Sequence, residues 1–236
     1  MDTYEKGAAR ILAGIEAVYV PAHQYQPASP EDFRHLDLKF YGSTLNELSK
    51  SGYSHLADVE DSTISSAPSV MKRIMIRSML SADGTIMASA YDPKLKFIWW
   101  LLLWVLRKVP RPVVDFETEY ADGAFLVTSN AAIAAMISSP PMVLSEYLPA
   151  STPISAVMSA HAQRMSAYTS VTGATAKVIS THAELVRSQN RMNALKAAYR
   201  KELGGISAEE LETLFSGRPD IAAKVHQKVI KLRNSK

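Results

Sequence analysis

The chain has 236 residues, 47% of them apolar, with a formal net charge of +3 and no cysteine. This length and composition exclude an intrinsically disordered chain and leave room for a sizeable core. The absence of cysteine excludes disulfides, thiolate chemistry and Cys-ligated zinc.

The charge is uneven. Residues 177–236 carry twelve Lys and Arg against six Asp and Glu, whereas residues 1–176 carry fourteen against seventeen. A basic C-terminal quarter favours an anionic partner but says nothing about fold. The segment Met1 to Lys6 lacks the basic and apolar regions of a secretory signal, so a cytoplasmic location is expected.

In chain order, Asp2 and Glu5 have capping-box spacing, and Ala8, Ile11, Leu12, Ile15 and Val18 recur at helical spacing up to Pro21. Ala22 to Pro30 reads as a loop. Ser29-Pro30 opens a helix through Phe33, Leu36 and Phe40, interrupted at Gly42-Ser43, where Ser43 starts a second short helix that Gly52 closes. Tyr53 to Val59 reads as a strand. Lys72 to Leu80 then alternates, with Ile74, Ile76, Ser78 and Leu80 on one face and Arg73, Met75, Arg77 and Met79 on the other.

Ala82-Asp83-Gly84 turns that strand into Thr85 to Tyr91. The same tripeptide, Ala121-Asp122-Gly123, joins Val113 to Tyr120 with Ala124 to Asn130, giving a second hairpin. Met142 to Tyr147 supplies a further strand. Helices resume at Thr152-Pro153 with Ile154, Val157, Met158, His161, Met165 and Tyr168 on one face. A longer helix is expected from about Ala176 to Leu203, ended by Gly204-Gly205. Ser207 and Glu210 then cap Ala208 to Phe215, and Pro219 opens a last basic helix.

The expected architecture is α+β: an antiparallel sheet of four to six strands built from two hairpins, with N-terminal helices and a C-terminal helical segment. The expected division is an α+β domain over residues 1–170, carrying an apolar insert at 94–111, and a basic helical extension over 171–236.

That insert holds ten unbroken apolar residues, Phe97 to Leu106, with all three tryptophans, between Lys94, Lys96, Arg107, Lys108 and Arg111. Ten residues are too few to cross a bilayer, which takes about 20 as a helix. Burial at about 25 cal/mol per Å² makes the tryptophans alone worth several kcal/mol. The composition suits a binding surface made of Phe97, Trp99, Trp100 and Trp104 with Lys96, Arg107 and Lys108, against a protein partner, a second copy of the chain, or the anionic inner membrane surface. Burial in the chain's own core is the ordinary alternative.

The blocks LSADGTIMASAY at Leu80–Tyr91 and FETEYADGAFLVTSN at Phe116–Asn130, with Pro140-Pro141, Leu148-Pro149 and Ala160-His161, resemble a pattern found in bacterial proteins of unassigned function. The resemblance spans the central part of the chain, leaves out the Trp-rich insert and implies no activity.

No nucleophile elbow, phosphate-binding loop, dinucleotide fingerprint or His-Glu-x-x-His motif occurs. The six histidines lack metal-ligand spacing, and neither a metal nor a cofactor is expected. Asp115, Glu117 and Glu119 form the strongest polar constellation, because strand alternation puts all three on one face. Such a row can bind a divalent cation or hold one acid of raised pKa. Pairing with Arg73 and Arg77 on the other hairpin is the structural reading and is favoured. His161, on the apolar face of its helix, reads first as a core histidine. Lys224, Lys228, Lys231 and Arg233 make the last helix basic, but nucleic acid is not an expected partner because neither an aromatic platform nor a helix-turn-helix pattern accompanies them.

The leading expectation is a non-catalytic binding protein that uses the Trp-rich insert. Two alternatives stand beside it: a metal-dependent or acid–base hydrolase built on Asp115, Glu117 and Glu119, and a lipid-binding module whose sheet and helices enclose an apolar pocket.

Overall fold

The computed structural model describes residues 2–66, 72–94, 111–215 and 218–235. Its two Ala-Asp-Gly turns organise the sheet. Gly84 and Gly123 have φ of +71° and +89°, a region that costs glycine little, and the turns fold β3 (Met75–Leu80) onto β4 (Met87–Tyr91) and β5 (Val113–Glu119) onto β6 (Phe125–Ser129). The hairpins join through β4 and β5, with Ser89 opposite Asp115. β2 (Ser54–Asp61) pairs with β3, and the short β1 (Tyr25–Pro27) lies at the far edge.

β7 (Val143–Tyr147) completes a seven-stranded sheet in the order β1 to β7. The expectation of four to six strands is corrected upward. β1 lies inside the expected loop, and three residues are too few for an alternating pattern to show. The last pair also departs from an all-antiparallel sheet, because β6 and β7 are parallel. The chain between them turns through a short 3-10 segment, Ala132–Met136, and Pro140-Pro141, and so re-enters beside the start of β6. Arg164 pins this junction by donating to the Val127 and Leu144 carbonyls at 2.5 and 2.6 Å.

Helices cover both faces. α1 (Thr3–Val18) starts where the Asp2 carboxylate accepts the Glu5 N–H. α2 (Leu38–Lys50) runs unbroken through Gly42 and is capped by Asp37, so the expected break at Gly42-Ser43 is absent; Pro30–Phe33 forms a separate 3-10 turn. α3 (Ser62–Ser66) follows β2. α2 and α4 (Ile154–Thr172) bury one face around Leu48, Met79, Val114, Phe116 and Val157.

α5 (His182–Leu203) crosses the other face, with Leu185 against Leu80 and Met87, and Met192 against Phe125, Val127 and Val143. It begins later than the helix expected from Ala176, at a Thr181/Glu184 capping box. The preceding chain instead laces over both turn tips: Ala121 N–H donates to Thr175 O, and Ile179 N–H to Gly84 O. α6 (Ala208–Leu214) and α7 (Pro219–Asn234) pack on α1 around Ala8, Leu12, Leu211 and Val225.

Candidate binding cavity

Between α5 and the sheet lies a cavity of about 430 Å³, semi-enclosed and mostly apolar in its walls. Its floor follows from strand register. Ser78, Ser89, Asp115, Ser129 and Tyr147 stand opposite one another across five strands, on the face that looks at α5. Three serines in that row leave space around Asp115 that larger side chains would fill. The opposite wall is one stripe of α5, with Leu185, Gln189, Met192, Lys196 and Arg200 at intervals of three and four residues, which share a helix face. The chain after α1, including Tyr19 and His23, forms part of the rim.

Asp115 and Glu117 are the polar centre. Tyr91 Oη donates to Asp115 Oδ2 at 2.8 Å, whereas the buried Asp115 Oδ1 has no hydrogen-bond partner among the described residues. Gln189 Nε2 donates to Glu117 Oε2. Burial raises the Asp115 carboxyl above the usual range, although the Ser129 and Tyr91 hydroxyls and the Lys196 charge pull it back. Glu117 is pushed up to about 7, chiefly by burial and further by Asp115, against the opposing effects of Lys196 and Gln189. Both residues keep partial accessible surface, and both border the cavity.

Glu119 continues the row but serves a different purpose. It is buried, pairs with Lys177 at 2.6 Å and with Arg191, and accepts from Ser188 at 2.6 Å. Burial pushes its carboxyl up, yet these partners hold it below the ordinary value. His161 lies on the other side of the sheet, fully buried, with Nε2 and Nδ1 each 3.0 Å from the hydroxyls of Thr118 and Thr128. Burial drives it down to about 3, with Arg164 adding to the effect, so it is a neutral core imidazole.

Arg73 and Arg77 pair with Glu60 and Asp58 of β2, on the face opposite the cavity. The favoured cross-hairpin pairing with Asp115 and Glu117 therefore does not form. Tyr91, Gln189, Lys196 and the serine floor were missed by sequence reasoning. For Gln189 and Lys196 the signal was an inward stripe on α5 that mixes polar and apolar residues; for the serine floor it was the strand alternation that places Ser78 beside Ile76 and Leu80.

Among the described residues, no group of three or more His, Asp or Glu is placed to hold a metal ion, and no helix is long and apolar enough to cross a membrane. The Trp-rich segment, including Phe97, Trp99, Trp100, Trp104, Lys96, Arg107 and Lys108, lies outside the described residues. Its anchor points are visible: Lys94 pairs with Asp92 at 2.9 Å, and Lys72 N–H donates to Lys94 O at 2.8 Å. Comparison with family models, curated proteins and solved structures found no match.

Proposed function

We propose that the protein is a small-molecule-binding module whose ligand occupies the cavity under α5, with a polar end at Asp115 and Glu117 and an apolar body against Ile76, Met87, Val127 and Met192. The observation that carries this reading is the cavity itself, bordered by the part-exposed Asp115 and Glu117 on otherwise mostly apolar walls. The cavity, at about 430 Å³, matches the roughly 300–1,000 Å³ typical of ligand pockets, and its few polar groups on apolar walls match their usual make-up.

The test is a titration with the neutral fluorophore N-phenyl-1-naphthylamine. Wild-type protein is expected to give a saturable one-to-one fluorescence rise. Ser129→Trp, which fills the floor, and Gln189→Trp, which fills the opposite wall, are expected to lose it while keeping the native circular dichroism. Absence of the rise in wild type, or an unchanged rise in both folded variants, contradicts the reading.

A second reading, acid–base catalysis on the bound molecule, is favoured by Glu117, whose carboxyl is pushed up to about 7 and so exchanges protons near neutral pH. Under it, wild-type protein incubated with a small-molecule extract depletes a compound that Glu117→Gln leaves intact. Identical mass-spectrometric profiles for the two proteins count against it.

A further inference from the structure

We propose that the ligand of this cavity is a small organic cation, an alkyl- or arylammonium ion, seated with its charge at Asp115 and Glu117 among tyrosine rings. The inference rests on the cavity-binding reading and narrows its ligand.

The charges on the described elements that line the cavity do not balance. β5 supplies Asp115 and Glu117, and α5 supplies Lys196 and Arg200. At the rim, His23 and Asp61 are joined to each other at 2.5 Å. Arg200 is already matched by the Glu210 carboxylate at 2.7 and 2.8 Å. Among the described residues, what remains is Asp115 and Glu117 against the positive charge of Lys196. With both carboxyls ionised, one negative charge is uncompensated in a semi-enclosed cavity, and a monocation restores neutrality.

Tyr19, Tyr25, Tyr91 and Tyr147 all line the cavity. Two are tied by their hydroxyls: Tyr91 donates to Asp115, and Tyr25 accepts from Asn193 at 3.2 Å. Aromatic faces beside carboxylates are the standard surroundings of an ammonium group, whose charge is drawn to the ring quadrupole. A divalent metal is a poorer fit, because it asks for several more oxygen ligands than two carboxyls provide.

Burial gives the empty cavity a way to carry this imbalance. With Glu117 pushed up to about 7, the unliganded site holds a proton where the ligand's charge would sit. Cation binding then displaces that proton. Affinity is expected to rise roughly tenfold per pH unit below about 7 and to level off above it.

The experiment uses the full chain and two isosteres that differ only in charge, benzyltrimethylammonium and neopentylbenzene, each displacing N-phenyl-1-naphthylamine at pH 5.5 and 8.5. At pH 8.5 the cation is expected to act at least about tenfold more potently than its neutral isostere, and to weaken about 30-fold at pH 5.5. Glu117→Gln and Asp115→Asn are expected to lose the preference for the cation, read on each variant as the ratio of the two isosteres' potencies, and Glu117→Gln also loses the pH dependence; an unchanged ratio in both variants overturns the assignment.

Equal potency of the two isosteres, or stronger displacement by phenylmethanesulfonate, overturns the cation assignment and leaves the cavity reading standing. A larger rise in melting temperature with calcium or magnesium than with the organic cation also overturns it, in favour of a metal. Failure of the fluorophore itself to bind overturns both readings.

Discussion

Glu117 and His161 lie on opposite sides of the same sheet, and burial shifts their titrations so that stability depends on pH in opposite senses. For Glu117 the folded value, about 7, lies above the ordinary 4.5, so folding favours the protonated acid. Its contribution is fully present below about 4.5 and is lost as pH rises through about 7. Glu117→Gln is therefore expected to gain on wild type by up to about 3 kcal/mol between pH 4.5 and 8, read from urea unfolding at both. A constant difference between the two proteins would show that Glu117 is an ordinary solvated acid.

For His161 the folded value, about 3, lies below the ordinary 6.5, so its contribution is present above about 6.5 and is lost as pH falls towards 3. His161→Phe is expected to flatten that acid limb. It is also expected to cost about 1–2 kcal/mol at pH 7, because the Thr118 and Thr128 hydroxyls each lose one of their buried partners, keeping Thr85 O and Arg164 respectively. A variant as acid-sensitive as wild type would contradict this placement of the histidine.

At the scale of elements, the turn tips carry more than a reversal of direction. A Cβ on Gly84 would stand 2.5 Å from Ile179 O, whereas at Gly123 the nearest atom is Met142 Cε at 3.8 Å. Both glycines have positive φ, so both Ala substitutions strain the backbone, by about 1 kcal/mol. Gly84→Ala must in addition push away the chain that leads into α5. It is expected to lower the melting temperature clearly more than Gly123→Ala, and equal losses would contradict the lacing of residues 174–179 over the tips.

The hairpins were legible because Asp-Gly between alternating segments is a local signal. β1 and the lacing were not, since a three-residue edge strand has too little pattern and the chain after Gly173 takes its conformation from partners far away in sequence. The site divided in the same way. Alternation put Asp115, Glu117 and Glu119 on one face, but nothing local indicated that Lys177 and Arg191 would occupy Glu119 while Asp115 and Glu117 border the cavity. The pairing with Arg73 and Arg77 failed for a geometric reason: Arg77 projects from the other face of β3 to meet Asp58 of β2, and Arg73, just before the strand, pairs with Glu60.

Over the whole molecule, the C-terminal helices work as the wall of the cavity and its brace. α5 closes the cavity, and its buried Arg200 bonds both Glu210 oxygens and the Ser138 carbonyl, joining α5 to α6 and to the β6–β7 connection. Glu210 also completes the capping box of α6 by accepting the N–H of the Ser207 cap. Removing one member of such a pair strands a buried charge, so Glu210→Gln is expected to cost about 3–5 kcal/mol in urea unfolding. A loss below about 1 kcal/mol would mean the pair does not brace the wall.

The basic excess of residues 177–236 thus has specific inward uses. Lys177, Arg191, Lys196 and Arg200 all serve the acidic residues on or near the sheet, and Lys228 reaches Asp2 at 2.7 Å across the α1–α7 contact.

The most direct test is carbon-13 NMR of the Glu117 side-chain carboxyl through a pH titration, with and without benzyltrimethylammonium. The expected result is titration near pH 7 in the free protein and a marked acid shift once the cation fills the cavity. Titration near 4.5 in both samples would mean that the carboxyl is solvated and that the space beneath α5 is not the binding site.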